Sequence, residues 1–207
     1  KSLDGGRSWI AVNAGLTNPN YTGAYVTSLA IDPAHPEILY AGTPEGVYKS
    51  INGGDLWEAI NTDLTNDNVK ALAINPVTPA TLYAATEAGV FKSTDGGASW
   101  NASNSGLTNT RVTCLAIDPV IPATLYAGTY DGLFKSLDGG SSWTSIYTVQ
   151  NASSVTAVAI DPASRQTLYA GTSDMGVFKS TDGGGSWSQF NTGLTSTSVR
   201  ALAIAPT

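Results

Sequence analysis

The sequence predicts an all-β protein built from a repeated, four-stranded antiparallel unit, and three observations lead to that prediction. A segment of the form Lys-Ser-x-Asp/Asn-Gly-Gly-x-x-Trp occurs five times, with its serine at positions 2, 50, 93, 136 and 180. Two apolar patterns, Val-x-x-Leu/Val-Ala-Ile and Leu-Tyr-Ala, recur in register with it. The composition favours strands, because 42% of residues are hydrophobic, only 13% are charged and methionine occurs once. Self-similarity at a fixed period is typical of repeat architectures.

Each repeat of about 43 residues divides into four short strands. The first is Val-x-x-Leu-Ala-Ile, which an Asp-Pro pair ends because proline cannot donate to a sheet ladder. The second is Thr-Leu-Tyr-Ala-Gly-Thr and the third is Gly-Val-Phe-Lys-Ser. A tight Asp-Gly-Gly turn, in which glycine supplies the positive φ, then leads into a fourth strand that begins at the tryptophan.

A single four-stranded unit has two apolar faces, so neighbouring units must stack to bury them. Repeats of 40–45 residues with four strands each are typical of β-propeller blades, whereas a solenoid would use shorter repeats. We predict one β-propeller domain over 1–207, with complete blades at about 24–63, 67–106, 111–149 and 154–193. The partial blades 1–12 and 198–207 are expected to supply a fourth strand at 8–12 and a first strand at 199–204. We expect either a stretch of a longer propeller of about six to eight blades or a fragment closed by association of its ends.

The turn segments match the Asp-box, Ser-x-Asp-x-Gly-x-x-Trp, which is also called the BNR repeat. The chain therefore resembles Asp-box β-propellers, a group that includes sialidases, sortilin-type receptor ectodomains, the photosystem II assembly factor and xyloglucanase-type hydrolases. This resemblance implies an extracytoplasmic location and a structural role for the box. The residues agree, because the acid can accept N–H groups of its own turn and the tryptophan can fill the apolar side of the hairpin. The box residues are Asp4, Asn52, Asp95, Asp138 and Asp182, with Trp9, Trp57, Trp100, Trp143 and Trp187.

Composition excludes several classes of protein. One cysteine, Cys114, and one histidine, His35, allow neither an intrachain disulfide nor a thiolate metal cluster. We expect Cys114 to pack as a small hydrophobe and His35 to lie in an exposed loop. We predict no catalytic residue, no metal and no cofactor. A formal charge of −6 argues against a nucleic-acid partner, and no apolar run reaches the ~20 residues of a membrane-inserted helix.

The candidate binding residues cluster at one predicted end of the propeller. Because strands alternate in direction, the loops between second and third strands share an end with the links between blades. Those loops carry one acid each: Glu45, Glu87, Asp131 and Asp174. The acids could attract a cationic partner or a weakly held cation, or could simply suit exposed turns. The tyrosines Tyr21, Tyr25 and Tyr130 fall on the same end, either as a protein- or glycan-binding surface or as loop packing.

Three functions remain open at this point. The first is a non-enzymatic binding or scaffolding module that engages a protein or glycan through this end. The second is a fragment of a secreted, xyloglucanase-like glycoside hydrolase whose catalytic acids lie mostly outside the chain. Such hydrolysis needs two carboxylates about 6–10 Å apart, for which only Asp131 and Asp174 are candidates here. A sialidase-like site is not expected, because it needs three arginines and only Arg111 and Arg200 are at the right end. The third is a purely structural role in a larger assembly.

Overall fold

The computed structural model describes residues 1–16, 25–148 and 153–205. These residues form sixteen strands and no helix, so none of them lies in a helix long and apolar enough to cross a membrane. The strands of the first two blades are β1 (Ser28–Ile31), β2 (Leu39–Thr43), β3 (Gly46–Ser50), β4 (Glu58–Ala59), β5 (Val69–Ile74), β6 (Leu82–Thr86), β7 (Gly89–Ser93) and β8 (Asn101–Ala102). Those of the third and fourth blades are β9 (Val112–Ile117), β10 (Leu125–Thr129), β11 (Gly132–Ser136), β12 (Thr144–Thr148), β13 (Val155–Ile160), β14 (Leu168–Thr172), β15 (Val177–Ser180) and β16 (Ser188–Gln189).

Each run of four consecutive strands forms one antiparallel sheet with the strands in chain order. This confirms the predicted all-β fold of four-stranded blades. Register places the repeated lysine of the third strand opposite the repeated tyrosine of the second, as in Tyr40 opposite Lys49. The lysine ammonium consequently lies over the tyrosine ring, at 5.4 Å from its centroid in this pair.

The hydrophobic core lies between blades. One cluster joins Tyr40 and Val47 of the first blade to Leu82, Phe91 and Trp100 of the second, and all five are buried. Similar clusters join the second blade to the third and the third to the fourth. The stacking that two apolar faces per unit require is therefore observed.

First strands are innermost and fourth strands are outermost. The first strands β1, β5, β9 and β13 contact one another in succession. They line a cavity of about 460 Å³ with the side chains of Leu29, Leu72, Leu115 and Val158. The short fourth strands β4, β8 and β16 are exposed.

The two end segments pack against the first and fourth blades without forming strands. The predicted fourth strand at 8–12 is absent: among the described residues, the backbone of this segment pairs only with Lys1, through two bonds that join Lys1 to Ile10. Residues 199–204 lack one because no second strand lies beside them among the described residues. Both segments nevertheless bond to the adjacent blade. The indole N–H of Trp57 donates to the carbonyl of Val12 at 2.9 Å, and the backbone N–H of Val199 donates to the carbonyl of Thr172 at 2.9 Å.

Candidate binding surface at the loop end

The Asp-box-like turns satisfy their own polar groups. In the third blade the hydroxyl of Ser136 donates to Asp138 at 2.8 Å and accepts the N–H of Gly140 at 2.9 Å. The N–H and hydroxyl of Ser142 donate to the two carboxylate oxygens of Asp138 at 2.9 and 2.6 Å. These bonds, first of all the one from the Ser142 hydroxyl, lower the pKa of Asp138 from 3.8 to about 2. The carboxylate of Asp138 therefore accepts its hydrogen bonds from residues of its own turn.

The other four turns repeat this pattern. Asp4, Asp95 and Asp182 receive the corresponding bonds from Ser8, Ser99 and Ser186. Asn52 accepts the hydroxyl of Ser50 at 2.8 Å and the N–H of Leu56 at 3.0 Å through its amide oxygen. The amide therefore makes the two bonds that the carboxylate makes through the same oxygen, and lacks the additional serine hydroxyl bond.

The box tryptophans join neighbouring blades as well as filling their hairpins. The indole N–H of Trp100 donates to the carbonyl of Ile60 in the preceding blade at 2.7 Å, and that of Trp143 to Ser103 at 2.7 Å. Trp57 and Trp187 make the equivalent bonds. Trp9 has no described preceding blade and is 75% exposed. Its exposure shows that burial of these rings depends on the neighbouring blade.

The box lysines make a second connection, in the opposite direction along the chain, which sequence reasoning missed. The ammonium of Lys92 donates to the carbonyl of Gly139 in the next box at 2.7 Å, and that of Lys135 donates to Gly183 at 2.9 Å. Lys1 and Lys49 make the same contact. The available signal was the presence of this lysine in every box.

Two residue types hold the loops between second and third strands. A buried threonine, such as Thr86, donates its hydroxyl to the carbonyl of Gly89 across the loop at 3.0 Å. Asn104, on the adjoining fourth-strand segment, accepts the N–H of Val90 at 2.7 Å and donates to the carbonyl of Ala88 at 3.2 Å. Thr43 with Asn61 and Thr172 with Asn191 act in the same way. The loop backbones are thereby fixed while their tips differ in sequence.

The third blade departs from this arrangement. Tyr147 occupies the position that asparagine holds in the other blades, and the fourth strand β12 extends to Thr148. Gly132 pairs directly with Thr148, so backbone pairing replaces the asparagine clamp. The Tyr147 ring instead contacts Phe178 and Trp187 of the fourth blade, with centroids 5.2 and 5.5 Å apart.

Two of the four predicted acids have a partner within their own blade. Glu87 forms an ion pair with Lys70 at 3.2 Å, and Asp131 accepts the hydroxyl of Thr129 at 2.7 Å. Glu45 is half-buried and Asp174 is exposed. Among the described residues, no group of three or more histidine, cysteine, aspartate or glutamate side chains is placed to hold a metal ion.

Of the predicted tyrosines, Tyr25 is 63% exposed, Tyr130 is 38% exposed and Tyr21 lies outside the described residues. The ring of Tyr130 carries the guanidinium of Arg111, whose carbon lies 3.9 Å from the ring centroid. Sequence reasoning placed Arg111 at this end but missed the pairing. One feature of the sequence could have indicated a special role for Arg111: it is the only cation directly before the valine of a first-strand pattern. In the first blade the same position is occupied by Tyr25.

Three other charged or nucleophilic side chains lie at the opposite end or in the interior, and each is paired or buried. His35 lies in an exposed turn with its ring 3.7 Å from Asp32, and Arg165 reaches the buried carboxylate of Asp118 at 3.5 Å. Cys114 is buried, and burial raises the pKa of its thiol to about 12. A thiol with so high a pKa is a poor nucleophile at neutral pH.

Comparison with solved structures identifies the architecture. An ancestral GH74 enzyme is 28% identical over 86% of this chain, with a TM-score of 0.71. The extracellular domain of BT4673 from B. thetaiotaomicron, described as a one component system, has a TM-score of 0.68 at 15% identity over 89% of the chain. The fold is a β-propeller.

The GH74 xyloglucanase from Xanthomonas campestris is also similar, with 23% identity over 87% of the chain and a TM-score of 0.70. The chain spans 25% of the ancestral enzyme and 31% of the xyloglucanase. No protein-family model and no curated protein sequence matches it.

Proposed function

We propose that this chain is a non-enzymatic binding module of the Asp-box propeller type, which acts outside the cytoplasm and engages a glycan or a protein through its loop end. The residues that would make contact lie on the loops between second and third strands and at the starts of first strands. They are Glu45, Glu87, Tyr130, Asp131, Asp174 and Tyr25.

One observation supports this assignment above the others: the loops have a fixed frame and variable tips. Threonine hydroxyls hold all four loops, with asparagine side chains in three of them and backbone pairing in the third blade. The tips nevertheless read Pro-Glu, Glu-Ala, Tyr-Asp and Ser-Asp-Met. Side chains that vary on a rigid scaffold are typical of recognition surfaces, because little conformational entropy is lost on binding. At the other end the repeated turn residues bond to one another.

The Asp-box assignment and the location have separate support. All five boxes form the same hydrogen-bonded turn, including the one with Asn52. An extracytoplasmic site is consistent with the extracellular bacterial domain among the similar structures. A glycan ligand is consistent with the similarity to a xyloglucanase.

The test is a binding measurement with a matched pair of variants at opposite ends. Xyloglucan oligosaccharides and a panel of other plant and bacterial oligosaccharides are titrated into the protein by isothermal calorimetry. Tyr130→Ala should weaken binding about tenfold or more, the effect expected for a contact of roughly 1.5 kcal/mol. Leu137→Ala, at an exposed box position on the opposite end, should leave it unchanged. Loss of binding in Leu137→Ala with no effect of Tyr130→Ala would contradict the proposed surface.

The glycoside hydrolase alternative is favoured by the 28% identity to a GH74 enzyme. In that case most of the catalytic acids lie outside this chain, and Asp131 and Asp174 are the candidates within it. Release of reducing ends from xyloglucan that disappears in both Asp131→Asn and Asp174→Asn would establish the alternative.

A further inference from the structure

We propose that Arg111 and Tyr130 form a recognition site for a carboxylate group on an oligosaccharide, that is, for a uronic acid residue. This proposal rests on the binding function proposed above for the loop end and assigns the ligand class of that surface.

The pair is positioned by both of the elements that carry it. Arg111 precedes β9, and its backbone N–H donates to the side-chain oxygen of Asn109 at 2.9 Å. Tyr130 follows β10, which pairs with β9 in an antiparallel register. The guanidinium carbon 3.9 Å from the ring centroid indicates stacking on the face of the ring. Stacking restricts the orientation of the arginine and leaves the N–H groups at the edge of its plane available.

Those N–H groups have no acceptor among the described residues. The Arg111 guanidinium makes no hydrogen bond or ion pair with a described residue, and two acids of the same loop end already have partners. Asp131 accepts the Thr129 hydroxyl and Glu87 pairs with Lys70. Arg165 differs, because its guanidinium reaches the carboxylate of Asp118 at 3.5 Å. Arg111 is thus an oriented, exposed cation without a carboxylate partner in the described part of the chain.

The chemistry of the pair selects the ligand. A planar guanidinium matches a carboxylate through two parallel hydrogen bonds, which are stronger than bonds between neutral groups. The exposed part of the tyrosine ring supplies apolar surface and a hydroxyl of the kind that sugars contact. The formal charge of −6 on the protein repels densely acidic ligands such as polyglutamate. A saccharide with one carboxylate among neutral residues fits all three conditions.

The experiment uses the full 207-residue chain and three probes: xylotriose bearing one glucuronic acid, the same compound with its carboxyl group reduced, and a hexaglutamate peptide. Calorimetry at low salt should show the acidic saccharide binding about 10- to 100-fold more tightly than the reduced one, the range for hydrogen bonds to a charged group. Arg111→Gln should abolish that difference. Arg111→Lys should recover only part of it, because ammonium lacks the planar fork. Arg7→Gln, a change at an exposed arginine of the first box turn, should have no effect.

Each outcome separates this proposal from the broader one. Equal binding of the two saccharides, unchanged in Arg111→Gln, overturns the carboxylate site while the binding function stands. Arg111-dependent binding of hexaglutamate alone overturns the saccharide assignment in favour of an acidic protein partner. No binding of these probes, in a protein that binds neutral oligosaccharides through Tyr130, also overturns the carboxylate site. The failure of every saccharide and peptide tested counts against both proposals. Unchanged thermal unfolding of the Arg111 variants, which alter an exposed side chain, checks that the fold is retained.

Discussion

Replacing Gly106 by alanine is expected to lower the free energy of unfolding about twice as much as the same change at Gly193. The two glycines occupy the same position of the repeat, two residues after the asparagine that holds the loop between second and third strands, which is Asn104 or Asn191. Both have φ of 86°. They differ in what surrounds them: the backbone of the following box lies against Gly106, whereas nothing lies within 4 Å of a methyl group built on Gly193.

The magnitude follows from two contributions. Alanine at a left-handed φ costs about 1 kcal/mol at either site. At Gly106 the new methyl carbon would lie 2.1 Å from the carbonyl oxygen of Trp143, so the two backbones must separate. That movement strains the adjacent bond from the N–H of Trp143 to the carbonyl of Ser105, now 2.8 Å. Weakening it adds about 0.5–1.5 kcal/mol, for a total of about 2 kcal/mol.

The first blade shows how such a methyl group is accommodated. Asp63 occupies the equivalent position there, with φ of 64°. The corresponding bond, from the N–H of Trp100 to the carbonyl of Thr62, is 3.1 Å long. The interface between these blades therefore tolerates a side chain by lengthening the bond rather than breaking it.

Urea unfolding, followed by tryptophan fluorescence and by circular dichroism, measures the comparison. We expect Gly106→Ala to reduce the free energy of unfolding by about 2 kcal/mol and Gly193→Ala by about 1 kcal/mol. An equal or larger effect at Gly193 would refute the reasoning, because only the shared backbone strain would then matter. Coincident transitions for the two probes are required for this calculation, since repeat arrays can unfold in stages.

Three further predictions use the contacts between and within blades. Trp100→Phe should lower the unfolding free energy by about 1 kcal/mol or more through loss of its bond to the preceding blade, whereas Trp9→Phe, at a 75% exposed ring, should change the urea midpoint little. Asp138 has a folded-state pKa of about 2, below its ordinary 3.8, so its stabilisation is present above pH 4 and lost as pH falls toward 2. Asp138→Asn should therefore lower the melting temperature at pH 6 and reduce its fall between pH 4 and 2.5; an unchanged acid dependence would contradict this. Lys92→Met should lower the melting temperature more than Lys179→Met, because Lys92 donates to the carbonyl of Gly139 in the next blade, whereas Lys179 makes no such bond among the described residues. Equal shifts would assign both effects to the contacts with aromatic rings.

The strand order was predictable because it depends on neighbouring residues. Asp-Pro ends β9 at Ile117, and the box that contains the Asp-Gly-Gly turn after Ser136 joins β11 to β12. The role of Asp138 was predictable for the same reason, as its partners lie within four residues. The bond from Lys92 to Gly139 was not, since it joins residues 47 positions apart that meet only when blades stack.

The candidate surface was predictable in location but not in its pairings. The alternation of strand direction placed Glu87, Tyr130 and Arg111 at one end. It did not show that Lys70 neutralises Glu87. Lys70 lies in β5 and Glu87 in the loop after β6, so the distance between them depends on the register of these two strands. The stacking of Arg111 on Tyr130 depends in the same way on the pairing of β9 with β10.

The bonds between blades have a consequence for the evolution of such chains. Three kinds of bond connect neighbouring blades: those from the tryptophan N–H, from the lysine ammonium and, in three blades, from a threonine hydroxyl at the start of the first strand. None of them reaches beyond the adjacent repeat, as in the bond from Trp100 to Ile60. Each interface thus defines how one blade follows another and contains no information about how many follow. Duplication or deletion of one whole repeat would leave the remaining junctions chemically unchanged. Recombination between repeats can therefore alter the number of blades while the loop tips diverge independently.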